Sequence, residues 1–177
     1  QDYESPEGRL MGLNEQIISD GMDADVLEKK VDLRLYGRVS RPLTQFLLYS
    51  TSPILPMLTA QKENCTAFLE RNGIPLKEGE TWLAYEDLNE EKKKALSTAL
   101  IVHLHEHNVS EWKIKELIGE VYTLKNEEPR TPLRDAKEFS TVMNACGRHG
   151  LATVGLKVCM GDRDEYYARA KSLLAEH

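Results

Sequence analysis

The sequence has 177 residues, enough for one domain or one domain with part of a second, and long enough to bury roughly two thirds of its unfolded surface. Hydrophobic residues make up 41% and charged residues 29%, which excludes a disordered chain and leaves an ordinary globular one. A formal charge of −6 excludes a surface that tracks nucleic acid everywhere, because phosphate neutralisation needs clustered Lys and Arg; any such contact must be local.

Cys65, Cys146 and Cys159 are odd in number, widely spaced and without a CxxC pair, so neither a disulfide framework nor a zinc knuckle is expected, and the compartment reads as reducing and cytoplasmic. The most apolar stretch, Pro42 to Leu58, is broken by Pro53 and Pro56 and cannot supply the roughly 20 apolar helical residues that span a bilayer. The N-terminal QDYESPEG has neither a basic n-region nor an apolar h-region.

In chain order, Leu10, Leu13, Ile17 and Ile18 recur at helical spacing, with Gly21 placed to end that helix. Val31, Leu33 and Leu35 alternate with Asp32 and Arg34, the period of a half-buried strand ending at Gly37. Pro42 near a first helical position opens the next helix, with Leu43, Phe46, Leu47 and Tyr49 on its apolar face, and Pro53 and Pro56 then force a loop. Helix resumes from about Ala60 to Asn72, burying Cys65, Phe68 and Leu69, and stops at Gly73. After a Gly- and Glu-rich linker, Asn89 caps the longest helix, which Leu96, Leu100 and Leu104 carry to about His107. Ser110 caps another, containing Trp112, Ile114, Leu117 and Ile118, and Val121–Leu124 reads as a short strand. Residues 126–133, with two prolines, two glutamates and an arginine, form the strongest linker signal, and a boundary is placed there. Beyond it Ala136–Cys146 reads as helix, Thr153–Met160 as a short apolar element and Asp162–His177 as a helix without a stop signal. The expected class is therefore mainly α with a few short strands.

Three constellations carry chemistry. His103 and His107, at i and i+4, could share a helix face as zinc ligands do; however, they also continue the stripe of Leu96 and Leu100, and without a cysteine or third ligand nearby they read as hydrogen-bonded boundary histidines. Asp23-Ala24-Asp25 reads as an acidic turn at a helix terminus. Asn144-Ala145-Cys146-Gly147-Arg148 differs in kind: a helix stopping at Gly147 would leave an amide and a guanidinium fork beside a tight turn, able to converge on a phosphate. An ordinary glycine C-cap with a surface arginine describes that spacing equally well.

The stretch EFSTVMNACGR (138–148), followed by TVGLKVCMGDRDEYYARAKSLL (153–174), resembles the last motif of the RecJ branch of DHH phosphoesterases. MGLNEQIISDG (11–21), LRLYGRVSRPL (33–43) and ALIVHLHEHNVSEWKIKELIGEVY (99–122) resemble stretches of the archaeal RecJ-like nucleases associated with the GINS replication complex. The resemblance implies a partial DHH domain with a helical insertion: residues 1–38 trailing the DHH domain, 39–126 as an insertion docking onto GINS or the replicative helicase, 127–161 returning to the DHH domain, and 162–177 starting a helix toward DHHA1. It implies that the chain starts just after the fourth metal motif, so the longer parent would cut single-stranded DNA or RNA with two Mn²⁺ or Mg²⁺ ions while this segment carries no catalytic or metal-binding residue. Asn144, Gly147 and Arg148 are carried over as substrate-backbone contacts. Phe139 and Ser140 depart from the bacterial pattern, which has an arginine ahead of the asparagine, so no further residue is transferred. Two expectations follow. Either the segment positions substrate within a DNA replication and repair exonuclease, or it is chiefly a non-catalytic interaction module.

Overall fold

The structure, a computed structural model, describes residues 10–176. It is mainly α with short strands. The first helix, α1 (Leu13–Asp23), runs antecedent to strand β1 (Leu27–Leu33). Helix α1 does not stop at Gly21 as expected but two residues later, with Asp25 taking the positive φ of 57° that ends the turn. Gly21 serves packing instead, since a Cβ there would lie 3.1 Å from Cβ of Leu27. Strand β1 begins four residues earlier than the alternation predicts and ends at Leu33, because its partner sets its length. That partner, β4 (Ile118–Leu124), is antiparallel, with Leu33 opposite Ile118 and Leu27 opposite Leu124. Strand β4 is therefore longer than Val121–Leu124, and Ile118 belongs to it rather than to the preceding helix.

Everything between the two strands folds around one apolar core. It includes α2 (Leu43–Leu48), α3 (Lys62–Arg71), α4 (Glu90–Glu106) and α5 (Glu111–Lys115). Helix α3 buries Cys65, Phe68 and Leu69 and stops at Gly73, whose φ of 66° is the glycine-favoured stop the sequence predicts. In α4, the Asn89 side chain accepts from Lys92 N at 2.9 Å, and Leu96, Leu100 and Leu104 are fully buried. The Ser110 side chain, by contrast, makes no capping hydrogen bond, and Trp112 is exposed while Ile114 and Leu117 are buried. The Gly- and Glu-rich stretch before α4 is more ordered than a linker. It forms a minimal hairpin of β2 (Lys77–Glu78) and β3 (Thr81–Trp82), then a 3₁₀ turn at Tyr85–Asp87.

A second core is made by α6 (Ala136–Arg148), α7 (Ala152–Cys159) and α8 (Glu165–Ala175), which pack Leu133, Val142, Cys146, Val154, Val158, Tyr167, Ala170 and Leu173 together. The close approach of α6 and α7 depends on Gly155: a Cβ there would sit 3.3 Å from Cβ of Cys146. Residues 126–133 tie the two cores together. Arg130 pairs with Asp87 of the first at 2.9 Å, and Glu127 accepts from Arg163 Nε of the second at 2.9 Å. Among the described residues no helix is long and apolar enough to cross a membrane, and Cys65, Cys146 and Cys159 are all free thiols. The final residue of the expected C-terminal helix lies outside the described residues; the helix itself starts after Asp164, not at Asp162, whose carboxylate accepts from Tyr166 N at 3.0 Å.

Candidate functional site

Helix α6 begins under tight local control. The Asp135 carboxylate accepts from the backbone of Lys137 and Glu138, both at 3.0 Å, satisfying two of the orphan amides of the first turn. The helix then passes through Gly147, contrary to the stop expected there. It ends at Arg148, and Gly150, with φ of 70°, is the left-handed residue beyond it. Gly147 thus has ordinary helical geometry, and a Cβ on it would meet nothing within 4 Å. The tight turn that was to bring Asn144 and Arg148 around a phosphate is absent from their position.

The helix still aligns them. At 100° per residue Lys137, Thr141, Asn144 and Arg148 form one stripe, and Glu138, Val142 and Ala145 form the buried stripe beside it. Asn144, Gly147 and Arg148 are exposed, and Lys137 Nζ donates to the carbonyl of Arg34 at 2.7 Å, fixing the N-terminal end of the stripe to the chain leaving β1. Lys137, Asn144 and Arg148, about two turns and then one turn apart along that stripe, can follow the backbone of a strand by hydrogen bonds and charge, without a nest of converging amides.

At the foot of α6 lies a buried ionic network that sequence reasoning missed. Arg38 is 3% exposed. One guanidinium nitrogen donates to Asp32 at 2.8 Å and lies 3.4 Å from Glu86, and the other lies 3.6 Å from Asp135. Tyr85 donates to the second oxygen of Asp32 and stacks on Phe46, with ring centroids 5.2 Å apart. Glu138, wholly buried, accepts from Val39 N at 2.8 Å and from the Ser40 hydroxyl. Burial pushes the Glu138 carboxyl up to about 6, against the pull of Ser40 and Val39. Burial raises Asp135 too, opposed by the Glu138 amide and then by Arg38. One signal was available: Glu138 sits in phase with Val142 and Ala145, where a stripe of apolar residues should continue. Arg38 gave none, since its partners lie up to a hundred residues away.

The histidine pair is structural. His103 Nε2 donates to the carbonyl of Pro56 at 2.7 Å, and its ring meets Phe68 edge-on; His107 Nδ1 donates to the carbonyl of His103 at 2.8 Å. The acidic turn at Asp23–Asp25 anchors to the end of β4 through Lys125 and Asp25. Among the described residues no three of His, Cys, Asp and Glu converge so as to hold a metal ion, so the donor set does not fit the Mn²⁺ or Mg²⁺ pair that the resemblance implies for a longer parent.

Comparison with known proteins bears on the first core. Residues 35–118 match the family model of the DHH-CID domain, nearly the same limits as the segment enclosed between β1 and β4. The chain is also 28% identical over 169 residues to an uncharacterized protein of Methanocaldococcus jannaschii, covering 95% of this chain and 34% of the relative. The chain thus spans about a third of the length of the curated relative it matches.

Proposed function

We propose that this chain is a segment of a RecJ-like, DHH-family phosphodiesterase acting on single-stranded DNA or RNA in replication and repair, in which α6 positions the substrate backbone and residues 39–126 dock a replication partner such as GINS or the helicase. The observation that carries the reading is the match of residues 35–118 to the DHH-CID domain. The exposed Asn144–Gly147–Arg148 surface of α6 supplies a backbone-binding face beside it. The resemblance assigns the Mn²⁺- or Mg²⁺-dependent step to other parts of a longer parent, and no chemical step is routed through this chain. Its own work is to hold phosphates by charge and hydrogen bonding.

The test is made on the parent. Arg148→Ala should weaken binding of single-stranded substrate by about 1–3 kcal/mol across sequences and flatten the salt dependence by about one phosphate contact. Arg148→Lys should restore part of the loss, because a point charge replaces the charge but not the fork. Unchanged affinity and salt slope in the alanine variant would remove Arg148 from the substrate path.

The DHH-CID match equally supports the docking half of the reading. Calorimetry of the intact chain against its cognate GINS should show association with apolar anchors ringed by charge. No heat at concentrations well above micromolar would leave the docking role without support.

A further inference from the structure

After β1 the chain turns at Gly37, whose φ of 89° lies in the left-handed region open to glycine. A Cβ there would sit 2.6 Å from Cδ of Arg41, so the glycine also leaves the space into which Arg41 folds back. The guanidinium carbon then lies 4.9 Å from the ring centre of Tyr36 and 4.7 Å from that of Tyr49. A cation is held between two aromatic faces, and Tyr49 is 51% exposed.

A second cation–aromatic pair stands close by. Leu43 N donates to the carbonyl of Leu83 at 2.9 Å and Pro42 bridges Ala84, which brings β3 alongside the start of α2. Trp82, 50% exposed, thereby shares an open groove of about 380 Å³ with Pro42, Leu48, Tyr49 and Lys62. Lys77 is the register partner of Trp82, so the two point to the same face, and its Nζ lies 4.3 Å from the indole centre. Glu78 and Thr81, the next pair, point to the opposite face. Arg130 donates to the carbonyl of Trp82 at 3.2 Å, and its charge is matched by Asp87. Lys62 lines the groove, and Arg41 and Lys77 flank it through the rings of Tyr49 and Trp82, in a chain whose net charge is −6.

We propose that this groove is a binding site for single-stranded nucleic acid, with unstacked bases on Tyr49 and Trp82 and phosphates on Arg41, Lys62 and Lys77. Half-exposed rings flanked by cations are what sequence-tolerant single-strand sites use, since every base offers a π face and every linkage a charge. A duplex keeps its bases stacked and cannot reach the rings. An acidic peptide would satisfy the cations but leave the two rings without flat partners. The site lies on the core enclosed by β1 and β4 and is separate from the α6 stripe, so it does not rest on the reading of Asn144 and Arg148.

Tryptophan fluorescence tests this directly, because the chain has two tryptophans and Trp112 lies on α5, outside the groove. In a Trp112→Phe background Trp82 reports alone. Titrating the full chain with a thymidine oligonucleotide of about 20 nucleotides at low salt should quench it, with half-saturation on the order of 1–100 µM and loss of binding as salt rises. Tyr49→Ala and, followed by anisotropy of a labelled oligonucleotide, Trp82→Ala should each weaken binding about 10-fold or more. Tyr49→Phe should bind as the parent chain does, since it keeps the ring. Tyr49→Ala should remove the Trp82 quench in an Arg148→Ala background as it does in the parent chain, so that loss of the α6 reading and loss of this one are told apart. No quench of Trp82 up to about 100 µM, equal quenching by a duplex, or alanine variants that bind like the parent would overturn the proposal. So would protection of Trp82 by a protein partner while the oligonucleotide leaves it unchanged.

Discussion

The two cores of this chain are built on different terms. The one enclosed by β1 and β4 buries large side chains from many elements, with Leu33, Phe46, Leu69, Tyr85, Leu96, Leu100 and Leu117 among them. The one formed by α6, α7 and α8 has fewer members, with Leu133, Tyr167 and Leu173 beside the smaller Val142, Cys146, Val154, Val158 and Ala170 around Gly155. Three short helices with so little volume to bury fall below what a hydrophobic core alone sustains. The second core therefore depends on how it is fastened to the first, and that fastening is polar: Arg38 to Asp135, Val39 and Ser40 to Glu138, and Glu127 to Arg163. Large apolar burial is non-directional and sets a core; the ionic joint sets which face of α6 meets the first core.

That comparison breaks most sharply at Arg38. Arg38→Met should cost about 3–5 kcal/mol, because Asp32 and Asp135 would keep their burial and lose their cation. Urea denaturation at neutral pH would read it. Both tryptophans lie on the surface of the elements enclosed by β1 and β4, so the helical signal should fall before tryptophan fluorescence changes in the variant and together with it in the parent chain. A loss under about 1 kcal/mol with coincident transitions would show that the joint holds nothing.

A smaller effect comes from Glu138. Its carboxyl is raised from 4.5 to about 6, so the folded state favours the protonated form. The stability this group contributes is fully present below about 4.5, and it is lost as pH rises through about 6, a change of about 2 kcal/mol. Asp135, also raised, acts with the same sign, beginning above its ordinary 3.8. Glu138→Gln should flatten the denaturation midpoint across that window and leave the variant as stable as the parent chain, or more so, at neutral pH. An undiminished pH dependence would place its origin elsewhere.

The least effect is expected from Glu127→Ala. Its pair with Arg163 is partly open to solvent, with side-chain exposures of 14% and 36%, and should be worth under about 1 kcal/mol. The change should appear in the helical signal alone. A shift of tryptophan fluorescence of the same size would mean that the two cores are one cooperative unit even at their rim.

Legibility from sequence follows the same division. The stop of α3 at Gly73 and the Asn89 cap of α4 are encoded within a few residues of where they act, and both are read off directly. The apolar stripes of those helices point to the same core. Strand limits failed because a strand's length belongs to its partner: nothing near Leu27 announces β4, some ninety residues on. Gly147 misled because two glycines stand close together, and a periodicity argument cannot decide that Gly150 takes the positive φ. For the candidate site, residue types on α6 were legible and their geometry was not. The Arg38 network was invisible, since ion pairs between distant segments leave no local pattern.

The antiparallel pairing of β1 with β4 has a topological consequence. Leu33 and Ile118 face each other across the ladder, so their Cα atoms lie about 5 Å apart, and the whole first core leaves and re-enters the chain at one point. In outline β1 and β4 are a hairpin whose turn has been replaced by a folded body. Such an excursion costs little in closure entropy, which grows only with the logarithm of length. That body is joined to the rest of the chain by two adjacent stems, and a partner gripping it would load the stems, the Arg38 joint and the foot of α6 together.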